Sequence, residues 1–379
     1  MESPQFIWQC ADWPNFRCDG ARVSAEIATA RRAQGVVEGK LAALGFEQRQ
    51  HLATDAWTAD AISTAAIEGE RLDVLAVRSS IARRLGGTHD KGPTAPRHVD
   101  GLLDIMGDAV DHAQAPLTHA RLQGWQAALF PTGFSGMRKI LVGAYRHHEG
   151  PMQIVSGRPD REKIHYEAPA SATMQREMEA FLGWFNAEVA PESLVQAALA
   201  HLWFETIHPF EDGNGRVGRV IIDLILSRDA GETGRLLRIS QRLLEKRDEY
   251  YIELERAQHG SLDVTAWVVW FVNQVRAACE QASGIIDLSL EKARFWSTHH
   301  DKELSARQRK VVNALLDAGP GGFEGGMSTR KYESLTSSSR ATSSRELVAL
   351  EQLGLLRREG EGRATRYHVN LDGWTPVKD

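Results

Sequence analysis

The sequence predicts a mainly α-helical protein with a β-hairpin in its centre and a small helical unit, closed by a second hairpin, at its carboxyl end. Three observations predict this class. Residues that favour helices recur at helical spacing over most of the chain. Short alternating pieces flank a Gly-Arg-Pro-Asp turn at 157–160. Three short helical patterns and two short strands follow residue 301.

Length and composition set limits on the function. The chain has 379 residues, enough for two or three domains that each bury a core. Hydrophobic residues at 42% and charged residues at 25% are ordinary for globular proteins. The formal net charge of -5 gives no whole-chain attraction to nucleic acid or to an anionic membrane. Without a signal peptide or a long apolar stretch, and with three cysteines that form no C-x-x-C pair, we expect a soluble, cytoplasmic protein with free thiols.

The predicted elements fall into three domains, at 1–95, 96–290 and 301–379. The first is helical, with patterns at 24–44 and 58–85 before a stretch rich in Gly and Pro. The second surrounds the hairpin at about 150–168, and its helices are predicted at 99–113, 118–129, 171–188, 192–207, 216–227, 240–259 and 264–283. The third has the element order of a winged helix-turn-helix, with helices at 306–316, 328–334 and 341–353 and strands at 355–358 and 365–369.

The loop HPFEDGNGRVGR at 208–219 joins two predicted helices and has the composition of a phosphate site. Gly213, Asn214 and Gly215 can adopt positive φ at low cost and bring backbone N–H groups toward one point. We expect the next helix to begin near Arg216. Backbone N–H groups at the start of a helix bind phosphate.

Charged side chains complete this loop. Arg216 and Arg219 lie three residues apart on the predicted helix, so both can face the loop and hold different phosphates. Asp212 supplies a carboxylate of the kind that Mg²⁺ prefers. His208, with a reference pKa of about 6.5, suits a general base that deprotonates an attacking hydroxyl. A plain Gly-Asn-Gly turn with a capping Asp and solvated arginines is the simpler alternative.

The whole string satisfies H-x-F-x-[DE]-G-N-G-R-x-x-R and resembles the signature of the Fic family. The resemblance implies that His208 is the general base and that Phe210 anchors the loop in the core. It also implies that Asp212 holds Mg²⁺, that 213–215 cradle the phosphates of ATP, and that the two motif arginines clamp them.

The resemblance extends to a Fic helical core at 99–283. The hairpin in this core corresponds to a flap that in the family aligns a target segment by strand pairing. Tyr250 and Tyr251 resemble paired tyrosines near the adenine of ATP, with a simple core role as the alternative. Gly215 favours AMP transfer, since the family's phosphotransferring branch carries lysine there. Phosphocholine transfer, another variation in the family, stays open.

Upstream of the core, the segment STAAIEGE at 63–70 matches the [ST]-x-x-x-E-[GN] motif of the inhibitory helix in Fic proteins, through Thr64 and Glu68. In the family this glutamate pairs with the second motif arginine, here Arg219, and keeps it from the γ-phosphate. One guanidinium fork can serve the carboxylate or the phosphate, not both. A solvated glutamate at a helix end is the alternative.

The resemblance therefore implies a protein adenylyltransferase, a nucleotidyltransferase that moves AMP from ATP to a Ser, Thr or Tyr hydroxyl and is autoinhibited by Glu68. ATP is the co-substrate and Mg²⁺ the metal. The target protein is expected along the flap, a homodimer is open, and no membrane partner is expected.

The alternative is a nucleotide-sensing transcription regulator that binds DNA through the carboxyl-terminal unit; a dimer or partner module is a third reading. Serines at 337–339 precede the presumed recognition helix and could touch phosphates. The basic candidates for DNA contact are Arg340, Arg345, Arg357, Arg358, Arg363 and Arg366.

Overall fold

The structure, a computed structural model, describes residues 5–86, 92–158, 161–187, 191–321, 323–372 and 374. The chain divides into two compact units, Met1–Gly284 and Ile285–Asp379. Helices dominate both units, and the strands are short. The prediction of a mainly α-helical fold is therefore confirmed.

The first unit opens with three helices, α1 (Gly20–Ala42), α2 (Phe46–Ile67) and α3 (Val74–Arg84). The sequence predicts one continuous helical pattern over 58–85, and this is wrong. Helix α2 ends at Ile67, Gly69 follows with φ of 81°, and Asp73 caps α3 by accepting the N–H of Ala76 at 2.7 Å. A cap of this kind satisfies one of the free N–H groups with which every helix starts.

The rest of the first unit is built from nine described helices, the last of which contributes residues to both units. They are α4 (Arg97–Asp111), α5 (His119–Leu129), α6 (Met174–Phe185), α7 (Ser193–Ile207), α8 (Asn214–Ala230), α9 (Glu232–Leu236), α10 (Ile239–Glu245), α11 (Arg247–Gln258) and α12 (Thr265–Thr298). Helix α7 is apolar on nearly all sides and is buried from Gln196 to Ile207, as expected for a central core helix. It packs extensively on α8.

Two predicted helices in this unit have different bounds in the structure. The pattern at 240–259 is split into α10 and α11 at Lys246, whose φ of -113° and ψ of 30° are not helical. The start of α10 is fixed by Asp60 of α2, which accepts the N–H groups of Ser240 and Gln241 at 2.8 and 3.2 Å. The pattern at 264–283 continues to Thr298 without a break. Among the described helices, none combines the length and the apolar character needed to cross a membrane.

Two small antiparallel hairpins lie between α5 and α6. The predicted hairpin is formed by β3 (Gln153–Arg158) and β4 (Arg161–Glu167), with a register shift between Ile154 and Val155. Residues 159 and 160 of its turn lie outside the described residues. The sequence gives no sign of the other hairpin, β1 (Phe134–Ser135) and β2 (Arg138–Lys139), because two-residue strands carry no alternation.

The second unit contains α13 (Ala306–Asp317), α14 (Thr329–Thr336), α15 (Arg340–Gln352), β5 (Leu356–Glu359) and β6 (Arg366–Val369). Its core includes Val311, Leu316, Tyr332 and Leu347. Met327 and Tyr367 exchange two backbone hydrogen bonds of 2.8 Å, which tie the segment before α14 to the hairpin. Three helices followed by a hairpin is the element order that the sequence predicts for this unit.

A close contact between α4 and α5 gives the first prediction. A Cβ at Gly101 would lie 1.9 Å from the carbonyl oxygen of Ala128, so Gly101→Ala must push the helices apart. We expect it to lower the free energy of unfolding by about 1–3 kcal/mol, measured by chemical or thermal unfolding.

Gly124 of α5 is the matched control, since a Cβ there meets nothing within 4 Å. Gly124→Ala is expected to raise the free energy of unfolding by about 0.5–1 kcal/mol, as alanine replaces glycine inside a helix. Equal effects of the two substitutions would contradict the close approach.

Candidate active site

The loop after α7 begins at a residue with an unusual backbone. His208 adopts the left-handed conformation, with φ of 50° and ψ of 61°, and its N–H still bonds the carbonyl of Phe204 at 2.9 Å. Residues other than glycine rarely adopt positive φ. The chain therefore turns sharply at His208, and the loop starts there.

Asn214 and Phe210 close the loop. The Asn214 side chain accepts the N–H of Phe210 at 2.9 Å and donates to its carbonyl at 2.8 Å, and the Phe210 ring is fully buried against Tyr145 and Phe204. Of the three residues that can adopt positive φ at low cost, one does so. Gly213 has it, with φ of 89°, whereas Asn214 and Gly215 form the first turn of α8, which starts two residues before Arg216. The N–H groups of that turn point out of the helix start.

Gly215 leaves room for the ends of two side chains from the inhibitory contact. A Cβ there would lie 2.3 Å from Glu68 Oε1 and 3.0 Å from Arg219 Nη1. Arg219 is buried and donates from Nη2 to Glu68 Oε1 at 2.7 Å, and from Nε to Thr64 Oγ1 at 2.7 Å. A third bond, 3.1 Å long, reaches the Thr64 carbonyl. The end of α2 is thereby fixed to α8 by one guanidinium.

The Glu68 to Arg219 contact is ionic at neutral pH. Burial alone would raise the pKa of Glu68, but the charge and the hydrogen bond of Arg219 outweigh it and hold that pKa below its usual range. Burial likewise opposes the charge on Arg219, yet Glu68 raises the pKa of Arg219 above its ordinary value. The Glu68 side chain is 36% exposed, so the pair lies at the edge of open space.

That space is a cavity of about 630 Å³, large enough for a nucleotide. Arg216 lies on its wall, with Nη2 at 3.7 Å from Asp212 Oδ1 and Nη1 at 3.7 Å from Glu70 Oε2. Its guanidinium also stacks 5.0 Å from the centre of the Phe130 ring. The residues around the cavity include Glu68, Glu70, Arg97, His98, Ser135 and Asp212.

Asp212 has the chemistry of a magnesium ligand. One of its oxygens accepts the hydroxyl of Ser135, the other accepts the N–H of Gly213 at 2.6 Å, and the side chain is still 34% exposed to the cavity. The described residues contain no group of three or more His, Cys, Asp or Glu side chains that could hold a metal together. A single carboxylate fits Mg²⁺, which keeps several waters and takes other ligands from substrate phosphates.

Burial sets the protonation of His208 and of Glu205, which lies in the last turn of α7. It lowers the pKa of His208 to about 4, and the charge of Arg146 acts in the same direction. Burial also raises the pKa of Glu205, whose Oε2 lies 3.8 Å from His208 Nδ1, to about 8. At neutral pH His208 is therefore neutral, as a general base must be, and it faces a protonated carboxyl group.

The two tyrosines predicted near the site have different surroundings. Tyr250 is buried, with its hydroxyl 2.8 Å from Nε2 of His201, so it has the core environment that was the alternative to a nucleotide contact. Tyr251 is 40% exposed, and the Arg247 guanidinium lies 5.5 Å from the centre of its ring. The other predicted site residues lie on α2, on α8 and in the loop between α7 and α8.

Sequence reasoning assigned no role to four residues of this site. Ser135 bonds Asp212, Glu70 faces Arg216, Glu205 faces His208, and Arg146 bonds the His208 carbonyl at 2.8 Å. Glu70 had a signal, because it follows Glu68 by two residues. The remaining three lie outside the two motifs, with nothing in the sequence to mark them.

The protonated state of Glu205 can be tested by stability. Because its folded-state pKa is raised from 4.5 to about 8, its contribution to the free energy of unfolding is present below pH 4.5 and is lost as the pH rises through about 8. Glu205→Gln cannot titrate. The stability of wild type minus that of Glu205→Gln should therefore fall by up to about 1.4 kcal/mol per pH unit between about pH 5 and 8.

Denaturant unfolding across this pH range measures the difference. Glu47→Gln, which changes an exposed carboxylate in the first turn of α2, is the control for the loss of a carboxylate elsewhere in the protein. A flat difference for Glu205→Gln would show that its carboxyl is ionised in the folded protein.

Family comparisons agree with this site. Residues 116–226 match the model of the Fic/DOC family, and residues 6–86 match a domain of unknown function, DUF4172. The first match includes α7, the loop and most of α8.

Curated relatives share part of the chain. The protein adenylyltransferase Fic of Nematostella vectensis is 32% identical over 139 residues, 36% of this chain and 31% of that protein. A probable protein adenylyltransferase of Aquifex aeolicus is 34% identical over 83 residues, 22% of this chain and 23% of that protein. The chain thus spans less than a third of these relatives.

A solved structure shares the fold. The crystal structure of a Fic family protein from Desulfovibrio desulfuricans G20 aligns with a TM-score of 0.52 at 20% identity, over 91% of this chain and 95% of that one. The family predicted from the motif is confirmed by these matches. Because the segment that matches the Fic/DOC model contains the whole loop from His208 to Arg219, this part of the chain is a Fic/DOC family domain.

Proposed function

We propose that this protein transfers AMP from ATP to a hydroxyl group of a target protein, and that Glu68 restrains the transfer. The observation that carries the proposal is the state of Arg219, whose guanidinium is bound by Glu68 at 2.7 Å beside a cavity that Arg216 and Asp212 line. A pair of phosphate-binding arginines, one of which is bound to a carboxylate, fits an inhibited nucleotide site. Relatives named protein adenylyltransferase support the reaction class.

The reaction uses His208 as the base. A neutral His208 accepts the proton of the target hydroxyl as its oxygen forms a bond to the α-phosphorus. The bond from that phosphorus to the bridging oxygen breaks, and pyrophosphate leaves. The N–H groups at the start of α8 and the Arg216 guanidinium are suited to the phosphate charge. Asp212 would hold Mg²⁺, which when bound neutralises phosphate oxygens.

Inhibition involves both motif arginines. Glu68 binds Arg219, while Glu70, two residues on, approaches Arg216 at 3.7 Å and His98 at 3.0 Å. A triphosphate that needs the guanidiniums of both Arg216 and Arg219 would compete for them with the carboxylates of Glu68 and Glu70. Since Glu68 makes the shorter contact and is the partner of the buried arginine, its removal should have the larger effect.

The target is proposed to bind along the hairpin of β3 and β4. Ile154 and Ile164 are 39% and 50% exposed on adjacent strands there. An extended peptide can add a strand to such an edge and place alternate side chains on the exposed apolar ones.

The regulator alternative depends on the second unit. Arg340 and Arg345 are exposed on α15, but nearby charges are paired, Arg307 with Glu346 at 2.7 Å and Arg358 with Glu351 at 3.7 Å. A surface of mixed sign attracts a phosphate backbone weakly. The second unit therefore does not favour DNA binding over the enzyme. The support for the enzyme comes from the first unit.

Labelled ATP distinguishes these functions. Incubation of lysate proteins with the Glu68→Ala variant should label protein from ATP carrying the label at the α-phosphorus and not from ATP labelled at the γ-phosphorus. Label from the γ-position alone would mean phosphate transfer, and label from CDP-choline would mean phosphocholine transfer. Salt-sensitive DNA binding without protein label would favour the regulator.

Removal of the inhibitory carboxylate is expected to activate the protein. Glu68→Ala frees Arg219 for ATP and should raise the initial rate of AMP transfer about 5–150-fold, the usual range for coupling between two sites. Glu47→Ala, on the same helix and far along the sequence from the motif, should leave the rate unchanged.

Two double variants test whether Glu68 acts through Arg219 and whether His208 is the base. Glu68→Ala with Arg219→Ala should lose most of the gain, and Glu68→Ala with His208→Ala should lose about 10²–10⁴ in rate because the base is gone. Equal activation with and without Arg219 would refute competition for that guanidinium.

The metal role of Asp212 gives a further expectation. In the Glu68→Ala background, Asp212→Asn removes the charge and should raise the Mg²⁺ concentration for half-maximal transfer about tenfold or more. The neighbouring Glu211→Gln is the control, since Glu211 accepts the N–H of Leu141 at 3.2 Å instead. The same metal dependence in both variants would remove Asp212 from the metal site.

A further inference from the structure

We infer that Arg146 is a positioning residue for His208, because its side chain and backbone bind three successive carbonyl oxygens where α7 turns into the loop. This inference rests on the proposed function, in which His208 is the base. Arg146 Nε donates to the His208 carbonyl at 2.8 Å and Nη2 to that of Ile207 at 3.2 Å. Its backbone N–H donates to the carbonyl of Pro209 at 2.9 Å.

The end of α7 needs such a partner. The last carbonyl groups of a helix have no intrahelical donor, and in many helices a glycine with positive φ follows the end and lets the backbone satisfy them. Here His208 itself has φ of 50°, a conformation that a residue with a side chain keeps only when its surroundings enforce it. Arg146 supplies donors on both sides of this residue and so fixes the direction of its Cα–Cβ bond.

The guanidinium also connects the base to the hairpin of β3 and β4. Nη2 donates to the Pro169 carbonyl at 2.5 Å and Nη1 to the Ser171 hydroxyl at 2.9 Å, and both acceptors follow the end of β4 closely. One side chain therefore joins the start of the motif loop to the exit of the hairpin proposed to align the target. A change at Arg146 should alter the distance between the base and the attacking hydroxyl.

Burial and charge fit this role. The Arg146 side chain is 1% exposed, and the acceptors named here are neutral oxygens. Burial lowers its pKa to about 10, so it stays charged at neutral pH beside the negative end of the α7 dipole. Its charge in turn lowers the pKa of His208, against the opposite influence of Glu68 and Asp212 and beside the Glu205 carboxyl.

The test uses Arg146→Met and Arg146→Lys in the Glu68→Ala background. Arg146→Met keeps length and apolar bulk but has no donor, and we expect kcat to fall about 10²-fold while KM for ATP changes by less than about threefold, as for a misplaced catalytic group. Arg146→Lys keeps the charge but cannot reach all acceptors, and its kcat should lie between those of Arg146→Met and the parent. Ser171→Ala, which removes one neutral acceptor, should stay within about threefold of the parent.

The pH dependence of kcat distinguishes a positioning role of Arg146 from a purely structural one. Loss of the positive charge in Arg146→Met should move the acid limb of kcat to higher pH, whereas Arg146→Lys should leave it near the parent's. Unchanged kcat with a lowered Tm, or a raised KM with unchanged kcat, would overturn the inference. Where Arg146→Met does not unfold cooperatively, the kcat of Arg146→Lys decides: a value equal to the parent's rejects the positioning role.

Failure of the proposed function would look different. If the Glu68→Ala parent transfers no AMP, the enzyme proposal fails whatever Arg146 does. In that case the titration of His208 by NMR in ATP-free protein still tests the contact, because Arg146→Met should raise the pKa of His208 relative to the parent. No change in that pKa would show that Arg146 does not control the state of the ring.

Discussion

The arrangement of the first unit around the motif loop depends on the contact between the Arg219 guanidinium and the Glu68 carboxylate. The Arg219 side chain is buried between α2 and α8, where Thr64 supplies two neutral acceptors and Glu68 the charge. Removing one partner of such a buried pair leaves an uncompensated charge, which proteins avoid. In the structure the anion that compensates this charge is the Glu68 carboxylate. Under the function proposed above, a phosphate of ATP would compete with it for Arg219, and the proposed regulation would then follow from charge balance.

The burial of α7 has a second consequence for the same site. Burial at the end of α7 keeps the adjoining His208 neutral, so His208 retains a free lone pair at pH values where an exposed histidine would be partly protonated. The same burial keeps the carboxyl group of Glu205 protonated. The packing around the end of α7 thus sets the protonation of both groups, and the state of His208, the proposed base, varies little near neutral pH.

The sequence predicts those parts of the molecule that repeat or that form a motif. Helices are predicted because apolar spacing is local, and Glu68 could be linked to Arg219, 151 residues away, because each lies in a recognisable pattern. Arg146 could not be predicted. It lies 62 residues before His208 and binds carbonyl groups, which every residue has, so no pattern of side chains identifies it. The separate start of α10 is equally hidden, since it is fixed by Asp60, 180 residues away.

Gly215 lies where two requirements meet. The space that a Cβ would need is filled by the Glu68 carboxylate, at 2.3 Å from the ideal Cβ position. Under the function proposed above, position 215 therefore belongs both to the phosphate site and to the space around the inhibitory carboxylate. A long side chain such as lysine there would have to displace Glu68 as well as change the proposed nucleotide site. In the proposal, one position thus couples the reaction to its restraint.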